Sequence, residues 1–410
     1  MAESSWAGIQ YSDLSDEQKE FLLQIIRNNS RNYFLHGCAG SGKTVVAAHA
    51  ARILTDEDKT VKFVVYTKLL SKFVADGFKG VNASIQEVEH YHGWIREFVF
   101  DGYYDMTIVD ECQDFQSNWV DNVKTHSNNQ IWLGDASQQI YADAMKDTGF
   151  SDIHSEFNEQ EFQLKINYRN SISIAQLAKC FITLNEFDNK TIEEKISDFI
   201  LPIQNNDLQT AEANNQPNLF IEAADEAEEY DAIAKIIKDI QGNAELKKQI
   251  AIAQLHHKHL DIIQDELESR GVELNRITHA KSILPDFSDR NLTILTPIHS
   301  LKGLEVDYVI FPRTEDYNIE FWEDEQINDN LMFVLFSRAK SRVFCSYTDK
   351  DSSYVYNGIT NDINNDFFQF VSAAEVLNKG TPIESNKQIA KKIDSAEEKL
   401  KGYFDDLDIE

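Results

Sequence analysis

The chain has few cysteines, no long apolar run and few basic residues for its number of acidic ones. No stretch approaches the roughly 18 apolar residues that a membrane-spanning helix needs. The first residues, MAESS, lack the basic and apolar regions of a signal peptide. We therefore expect a cytoplasmic protein with no membrane partner. Its cysteines have no metal-site spacing and are expected to be reduced thiols: Cys38, Cys112, Cys180 and Cys345.

The deficit of basic residues limits the choice of partner. Against 69 Asp and Glu residues there are 39 Lys and Arg, which gives a formal net charge of −30. A protein that binds nucleic acid usually carries a basic footprint, so any such footprint must be a local groove on an acidic body. The alternative is that the main partner is another protein. The 410 residues, 42% of them hydrophobic, are enough for two or three folded domains.

Two adjacent carboxylates end an apolar segment in the N-terminal half. The sequence MTIVDECQDF, residues 106–115, is typical of a buried parallel strand that stops at Asp110 and Glu111. Two neighbouring acids repel each other, and a strand has no structural need for them. A metal ion or a proton to be transferred would give them a function, whereas a solvated loop is the plainer interpretation.

A phosphate-binding loop follows the first predicted strand. Residues 32–36 are typical of a short strand, and residues 37–44, GCAGSGKT, match the P-loop pattern. Lys43 is expected to reach the β- and γ-phosphates, and the Thr44 hydroxyl to bind Mg²⁺. Glycines let the backbone wrap the phosphates at a helix N-terminus; those expected to do so are Gly37, Gly40 and Gly42. The loop predicts binding of a nucleoside triphosphate, with a chance glycine-rich turn as the alternative.

Strands and helices alternate along the first 150 residues, which predicts a parallel sheet covered by helices. Its strands are predicted at residues 32–36, 61–67, 106–111 and 130–135. Ligands bind at the carboxyl edge of such a sheet. Because polar residues follow each of these strands, we interpret Asp110 as a second Mg²⁺ ligand and Glu111 as a candidate general base.

The pattern restarts after Tyr141 and predicts a second α/β domain without a P-loop. Its strands are predicted at residues 161–166, 218–222, 249–255, 292–295, 307–311 and 342–347. We therefore expect domains at residues 1–150 and 151–350, followed by an acidic, partly helical tail at 351–410. A tail of this composition is typical of a solvated helix with a frayed end, and partner binding is the alternative.

Seven short motifs occur in the order found in superfamily 1 helicases of the UvrD/Rep type, which the chain resembles over residues 11–347. They are LSDEQ (14–18), GCAGSGKT (37–44), DECQDF (110–115), GDASQQIY (134–141), LKINYR (164–169), HSLKGLE (299–305) and LMFVLFSRAK (331–340). The resemblance implies an α/β fold of two RecA-like domains, parallel sheets flanked by helices, with an ATP cleft between them. It also implies Mg²⁺-dependent ATP hydrolysis coupled to 3′ to 5′ movement on single-stranded nucleic acid, with DNA favoured over RNA.

The resemblance implies roles around the adenosine of the bound nucleotide. Gln18 would read the adenine edge, and Tyr168 would stack on the adenine face. Gln18 also fits a helix capping box with Ser15, which is the structural alternative. Glu305 would bind the ribose. Relatives often place an arginine against the adenine shortly after the P-loop, where this chain has Val45.

The same resemblance implies a catalytic set, with Lys43 and Glu111 joined by residues from later motifs. Gln138 would sense the γ-phosphate and help to place the attacking water. Arg169 and Arg338 would come from the second domain and stabilise the negative charge of the transition state. Hydrolysis is then expected to require closure of both domains.

The resemblance implies contacts with nucleic acid after the second predicted strand, in HYHGW (90–94) and at the start of HSLKGLE (299–305). Residues expected to touch phosphates and sugars are Thr67, Lys68, His92, His299 and Ser300. Tyr91 or Trp94 is available for base stacking, although aromatic residues on a short helix are as often packing residues.

Departures from the family leave two functions open. There is no room for the large helical insertions of relatives, and Asp143 stands where a base-stacking aromatic is usual. The first function is an ATP-dependent helicase or single-strand translocase. The second is an ATP-driven switch or accessory subunit that regulates a protein partner, such as a nuclease, through the acidic surface or tail.

Overall fold

The computed structural model describes ten ranges of the chain: residues 9–80, 88–91, 103–141, 149–157, 161–184, 191–200, 216–243, 249–277, 292–317 and 325–382. Within these ranges the strands form two parallel sheets with helices on their faces. The predicted α/β class with two sheets is confirmed. Over the same ranges, no helix has the length and apolar character needed to cross a membrane.

The first sheet is built from strands β1 to β6. Their bounds are β1 Tyr33–Gly37, β2 Val61–Val65, β3 Val88–His90, β4 Tyr104–Val109, β5 Ser127–Gly134 and β6 Glu161–Leu164. In space the order is β3-β2-β4-β5-β1-β6, and all neighbours run parallel. All the carboxyl ends therefore lie along one edge, where a ligand binds in sheets of this type.

Five helices cover the first sheet in the described part of the chain. They are α1 Asp16–Arg27, α2 Lys43–Asp56, α3 Lys68–Gly80, α4 Ser117–Thr125 and α5 Gly149–Phe157. On β1, Tyr33 and Leu35 pack with α1 and α2, whereas Phe34 packs with α4 and α5. This alternation is the two-residue period of a strand that is buried on both faces.

The second sheet is built from strands β7 to β13, again with every neighbouring pair parallel. The bounds are β7 Asn218–Glu222, β8 Ile250–Gln254, β9 Asn275–Arg276, β10 Thr293–Pro297, β11 Val306–Phe311, β12 Ala339–Tyr347 and β13 Phe368–Ser372. The spatial order is β13-β7-β12-β11-β8-β10-β9. The helices are α6 Ile172–Ala178, α7 Ile192–Ile200, α8 Glu226–Gly242, α9 His257–Ser269, α10 Glu325–Ser337, α11 Tyr354–Gly358 and α12 Ala373–Lys379.

One apolar core extends across both halves of the molecule, and another belongs to the second sheet alone. Side chains of α8, α9 and α12 form a separate core on one face of the second sheet. Those of α6 and α10, on the other face, belong to the same buried cluster as α1, α2 and α3. Burial of apolar surface therefore holds the two sheets against each other.

Two predicted domain boundaries are wrong. Strand β6 was expected in the second domain, but it pairs with β1, so the first sheet extends to residue 164 rather than ending before 150. Strand β13 pairs with β7, and α12 packs on α8, so residues 368–379 complete the second sheet where a tail was expected. A local pattern identifies a strand but not the sheet edge that it joins. Residues 383–410 lie outside the described part.

Candidate functional site

A cavity of about 420 Å³ lies between the two sheets, beside the carboxyl ends of β1 and β4. This volume is typical of a small-molecule site. Its wall brings together the following predicted site residues: Gln18, Gly40, Gly42, Lys43, Thr44, Asp110, Glu111, Gln138, Tyr168, Arg169, Glu305 and Arg338. Gly37 ends β1 and opens the loop that forms one side of the cavity.

The P-loop leaves β1 at Gly37 and enters α2 at Lys43. Gly40 and Gly42 have φ angles of +79° and +84°, which side chains rarely adopt. A Cβ on Gly42 would lie 2.6 Å from the Gln18 amide nitrogen, so a side chain there would displace that amide. The Lys43 ammonium donates to the Gly37 carbonyl at 2.6 Å. The loop thus presents a cation and the N-terminus of α2 to an anion.

Thr44, in the first turn of α2, contacts Asp110, which directly follows β4. The Thr44 hydroxyl donates to Asp110 Oδ2 at 2.6 Å, and Asp110 Oδ1 accepts the Glu111 amide at 3.0 Å. Burial, and then the charge of Glu111, raises the pKa of Asp110 to about 6. No group of three His, Cys, Asp or Glu side chains in the described ranges forms a metal site alone. One hydroxyl and one carboxylate, completed by phosphate and water oxygens, nevertheless fit Mg²⁺.

Glu111 has a left-handed backbone with φ of +58°, at the turn after β4. Strain of this kind in a non-glycine residue is concentrated at functional sites. The carboxylate accepts a 2.6 Å hydrogen bond from the Gln113 amide and lies 3.8 Å from the Lys302 ammonium. Burial alone would raise the pKa of Glu111, but the charges of Lys302, Lys43 and Arg338 lower it below its usual value. Glu111 is therefore an ionised carboxylate that can accept a proton.

Arg338 enters the cleft from the second half, directly after α10. Its side chain is buried, and its guanidinium donates to Gln138 Oε1 at 2.7 Å. The Gln138 amide donates in turn to Asp135 Oδ2 at 2.7 Å, so both ends of that amide are fixed. Burial, and then the charge of Arg169, lowers the pKa of Arg338 to about 9. The guanidinium remains mostly charged at neutral pH and faces the P-loop from the second half.

Lys302 is a site residue that sequence reasoning missed. It follows the turn Ile298–Leu301 and is 1% exposed. Its ammonium contacts the Asp114 carboxylate and the Gln138 carbonyl oxygen. Its place in the HSLKGLE motif was the available signal, but nothing local indicates that this lysine faces an acid 188 residues earlier.

Gln18 has the capping role that the sequence left open, and it also contacts the P-loop. It makes both hydrogen bonds of the capping box with Ser15, and its amide donates to the Ser41 carbonyl of the P-loop at 3.1 Å. Tyr168 lies on the same side of the cleft, and its backbone amide donates to the Gly40 carbonyl at 2.9 Å. Both residues are thus fixed against the phosphate loop.

Arg169, the second arginine in the cleft, follows a strand of the first sheet. It was expected to come from the second domain, but it follows β6 of the first sheet. Its guanidinium lies 3.1 Å from one oxygen of Glu305, and the Lys340 ammonium lies 3.2 Å from the other. Glu305, expected at the ribose, is therefore held between two cations at the boundary of the two halves.

The residues predicted to contact nucleic acid differ in their exposure and in their contacts. The Thr67 hydroxyl accepts the Leu70 amide at 3.1 Å, which caps α3, and Lys68 beside it is exposed. The His299 ring lies 5.6 Å from the ring of Tyr141, across the boundary between the halves. Ser300 is buried. His92 lies outside the described residues.

Tyr91, a candidate for base stacking, is completely buried, and that prediction is wrong. Its ring stacks on Trp119 with centroids 4.0 Å apart, and its hydroxyl accepts a hydrogen bond from Asn122 at 3.2 Å. An aromatic side chain next to a sheet is more stable in the core when an apolar partner is available. The other candidate, Trp94, lies outside the described residues.

Comparison with known proteins agrees with the fold. The family model described as an AAA domain matches residues 13–179. S. cerevisiae Dbp5 bound to RNA and ADP BeF3 is a similar structure, with a TM-score of 0.55 and 14% identity over 93% of this chain and 94% of that chain. A leucine-to-valine variant of Dbp5 in the same bound state has a TM-score of 0.55 and 12% identity, over 96% and 100%. No curated protein matches. Residues 13–179 are therefore similar to an AAA domain, and the chain shares the RecA-like two-sheet fold of these structures.

Proposed function

We propose that this chain is an ATP-dependent motor of the UvrD/Rep-like superfamily 1 helicases, which hydrolyses ATP in the cleft and moves along single-stranded nucleic acid. The observation that supports this best is the 2.7 Å hydrogen bond from Arg338 to Gln138. A motor needs hydrolysis to depend on the relative position of two domains. An arginine supplied across the cleft creates that dependence, because the transition-state charge is stabilised only when the cleft is closed.

The phosphates would bind to the P-loop amides and Lys43, and Mg²⁺ to Thr44 and Asp110. The metal, when bound, neutralises charge on the phosphate oxygens. Glu111 accepts the proton of the attacking water, whose oxygen bonds to the γ-phosphorus as the bond to ADP breaks. Gln138 and Arg338 stabilise the charge on the γ-phosphoryl oxygens during this transfer.

The adenosine would lie between the P-loop and the boundary of the two halves. Gln18 contacts the adenine edge and Tyr168 its face, both already fixed against the P-loop. Glu305 contacts the ribose. Its two cationic partners, Arg169 and Lys340, line the same cavity. Release of the nucleotide then allows the two halves to separate.

The nucleic acid would lie across the carboxyl edges of both sheets. Thr67 and Lys68 follow β2 of the first sheet, at the start of α3, while His299 and Ser300 follow β10 of the second. The similar Dbp5 structure is bound to RNA. We favour DNA as the polymer, with movement 3′ to 5′, on the basis of the family resemblance. None of the four cysteines, all of which lie in the described ranges, forms a disulfide, which suits a cytoplasmic location.

The charge of −30 favours a second candidate, an ATP-driven switch that regulates a protein partner. Burial of Tyr91 also removes one predicted contact for a nucleobase. In this function the cleft closes on ATP as before, but closure changes the shape offered to a protein instead of moving a strand. ATP hydrolysis would then be indifferent to nucleic acid.

Steady-state ATP hydrolysis at low salt separates the two candidates when it is measured alone, with single-stranded DNA and with single-stranded RNA. The motor predicts a stimulation of about ten-fold or more by at least one polymer, which fades as salt is added because phosphate contacts release counterions. A Lys68→Ala, His299→Ala double variant should lose the stimulation and retain the unstimulated rate. A turnover rate that neither polymer changes would rule out the motor and support the switch.

A further inference from the structure

The segment that joins the two sheets contains two buried asparagines that the proposed hydrolysis does not use. We call residues 167–170 the strap. Asn167 and Asn170 are 0% and 1% exposed. The Asn167 amide donates to Asn170 Oδ1 at 3.2 Å, and Asn167 Oδ1 accepts the backbone amides of Arg169 at 3.1 Å and Asn170 at 3.2 Å. A buried polar network with its partners in place is rigid, so the strap has one defined conformation.

One side of the strap lies directly on the P-loop. The Tyr168 amide donates to the Gly40 carbonyl at 2.9 Å. A Cβ on Gly40 would collide with Asn167 Oδ1 and would lie 2.8 Å from the Cβ of Arg169. The strap and the phosphate loop are therefore in backbone contact, and the position of one determines the position of the other.

The other side of the strap holds the backbone of Arg338. The Asn170 amide nitrogen donates to the Ser337 carbonyl at 2.9 Å and to the Ala339 carbonyl at 2.8 Å. These are the carbonyls on either side of Arg338, so one planar amide group fixes both of its flanks. The only neutral side chains with two such hydrogens on one nitrogen are Asn and Gln, and Gln is longer by one methylene.

We infer that Asn170 is a positioning residue for Arg338, which sets where the guanidinium enters the cleft relative to the P-loop. The inference rests on the proposed function, in which Arg338 stabilises the transferred phosphoryl group. Gly40 and Arg338 lie on different halves of the molecule, and the strap connects them through short, buried hydrogen bonds. Displacement of a catalytic group by about 1 Å can lower the rate about 10²-fold. Hydrogen bonds that fix the backbone on both sides of Arg338 prevent such a displacement.

Binding of ADP with fluoroaluminate, which mimics the transferred phosphoryl group, tests this role against binding of ADP alone, both with Mg²⁺. Asn170→Ala should weaken the fluoroaluminate complex about ten-fold and change ADP affinity by less than about two-fold. Asn170→Ser, which retains one donor, should weaken it by an intermediate factor. In an Arg338→Ala background, Asn170→Ala should cause no further loss, because the group that it positions is absent.

Asn218 supplies a matched control. It is also fully buried; its amide donates to the Ser173 carbonyl at 2.6 Å, and its oxygen accepts the Val343 amide at 3.2 Å, within the second half. Asn218→Ala should lower the thermal midpoint and leave the ratio of fluoroaluminate to ADP affinity unchanged.

The outcomes separate the two proposals. Equal weakening of both complexes by Asn170→Ala, or further weakening in the Arg338→Ala background, would overturn the positioning role. If Arg338→Ala itself leaves fluoroaluminate binding unchanged, the proposed function of Arg338 fails instead. If Asn170→Ala does not fold, fluoroaluminate binding is compared for Asn170→Ser with and without Arg338→Ala.

Discussion

Lys302 of the second half places its ammonium against the carboxylate of Asp114 in the first half, and both side chains are almost completely buried. The same ammonium contacts the Gln138 carbonyl and lies 3.8 Å from Glu111. One cation therefore joins the two halves of the cleft and also helps to keep the candidate base ionised. Closure and the protonation state of the base are linked through this residue.

Replacement of Lys302 by methionine should lower the free energy of unfolding by about 3–5 kcal/mol, because it leaves the buried Asp114 without its partner. The Lys302→Met, Asp114→Asn double variant should recover most of that loss, since no buried charge remains. The midpoint of chemical denaturation measures both effects. Equal stability of the single variant and the wild type would show that the pair contributes nothing.

Replacement of Glu111 by glutamine should slow ATP hydrolysis by about 10²–10⁴-fold, because the amide cannot accept the proton of the attacking water. Affinity for ATP should remain within about two-fold, since the P-loop is unchanged. Exposed Glu273 gives a control, and Glu273→Gln should leave both quantities unaltered. Turnover by Glu111→Gln at the wild-type rate would assign the base to another group.

Replacement of Arg338 by alanine should lower the rate of ATP hydrolysis by about 10³-fold or more and leave ADP affinity nearly unchanged. The reason is that the guanidinium acts on charge that develops at the γ-phosphate. Single-turnover hydrolysis together with ADP titration measures the two effects. Normal hydrolysis would mean that the cleft does not need the second half to complete its chemistry.

Replacement of Gly303 by alanine should hinder closure of the cleft. Gly303 has φ of +79°, and a Cβ there would lie 2.5 Å and 2.7 Å from the two terminal carbons of Leu70 on α3. We expect a fall in hydrolysis rate of about ten-fold. A second change, Leu70→Ala, should restore part of the rate but not all, because the left-handed backbone still costs about 1–2 kcal/mol with a side chain. No restoration would mean that the clash is not the cause.

Glu229 on α8 should make stability depend on pH. Burial raises its pKa to about 7, although the Ser346 hydroxyl and the Arg313 amide donate to its carboxylate. The folded protein therefore holds this proton more tightly than the unfolded chain, and the free energy of unfolding should fall as pH rises from about 4.5 to about 7. Thermal midpoints across that range should decline more steeply for the wild type than for Glu229→Gln. Parallel curves would contradict the shift.

Most of the fold could be predicted from the sequence because the alternation of side chains along a strand depends only on neighbouring residues. The alternation of Tyr33, Phe34 and Leu35 between two cores follows from the two-residue period of a strand. The P-loop could be predicted for a similar reason, since Gly40 and Gly42 adopt backbone angles that favour glycine. These features depend only on residues that are neighbours along the chain.

Relations between distant segments were decided only by the tertiary structure. Strand β6 joins the first sheet, and β13 joins the second, because an exposed sheet edge can pair with any strand that reaches it. Lys302 and Asn170 became site residues only when folding placed them against Asp114 and the carbonyls beside Arg338. Buried polar groups must find partners, and which partner each finds depends on the packing of the two halves. The sequence by itself determined the elements and the phosphate loop, and their packing determined the cleft.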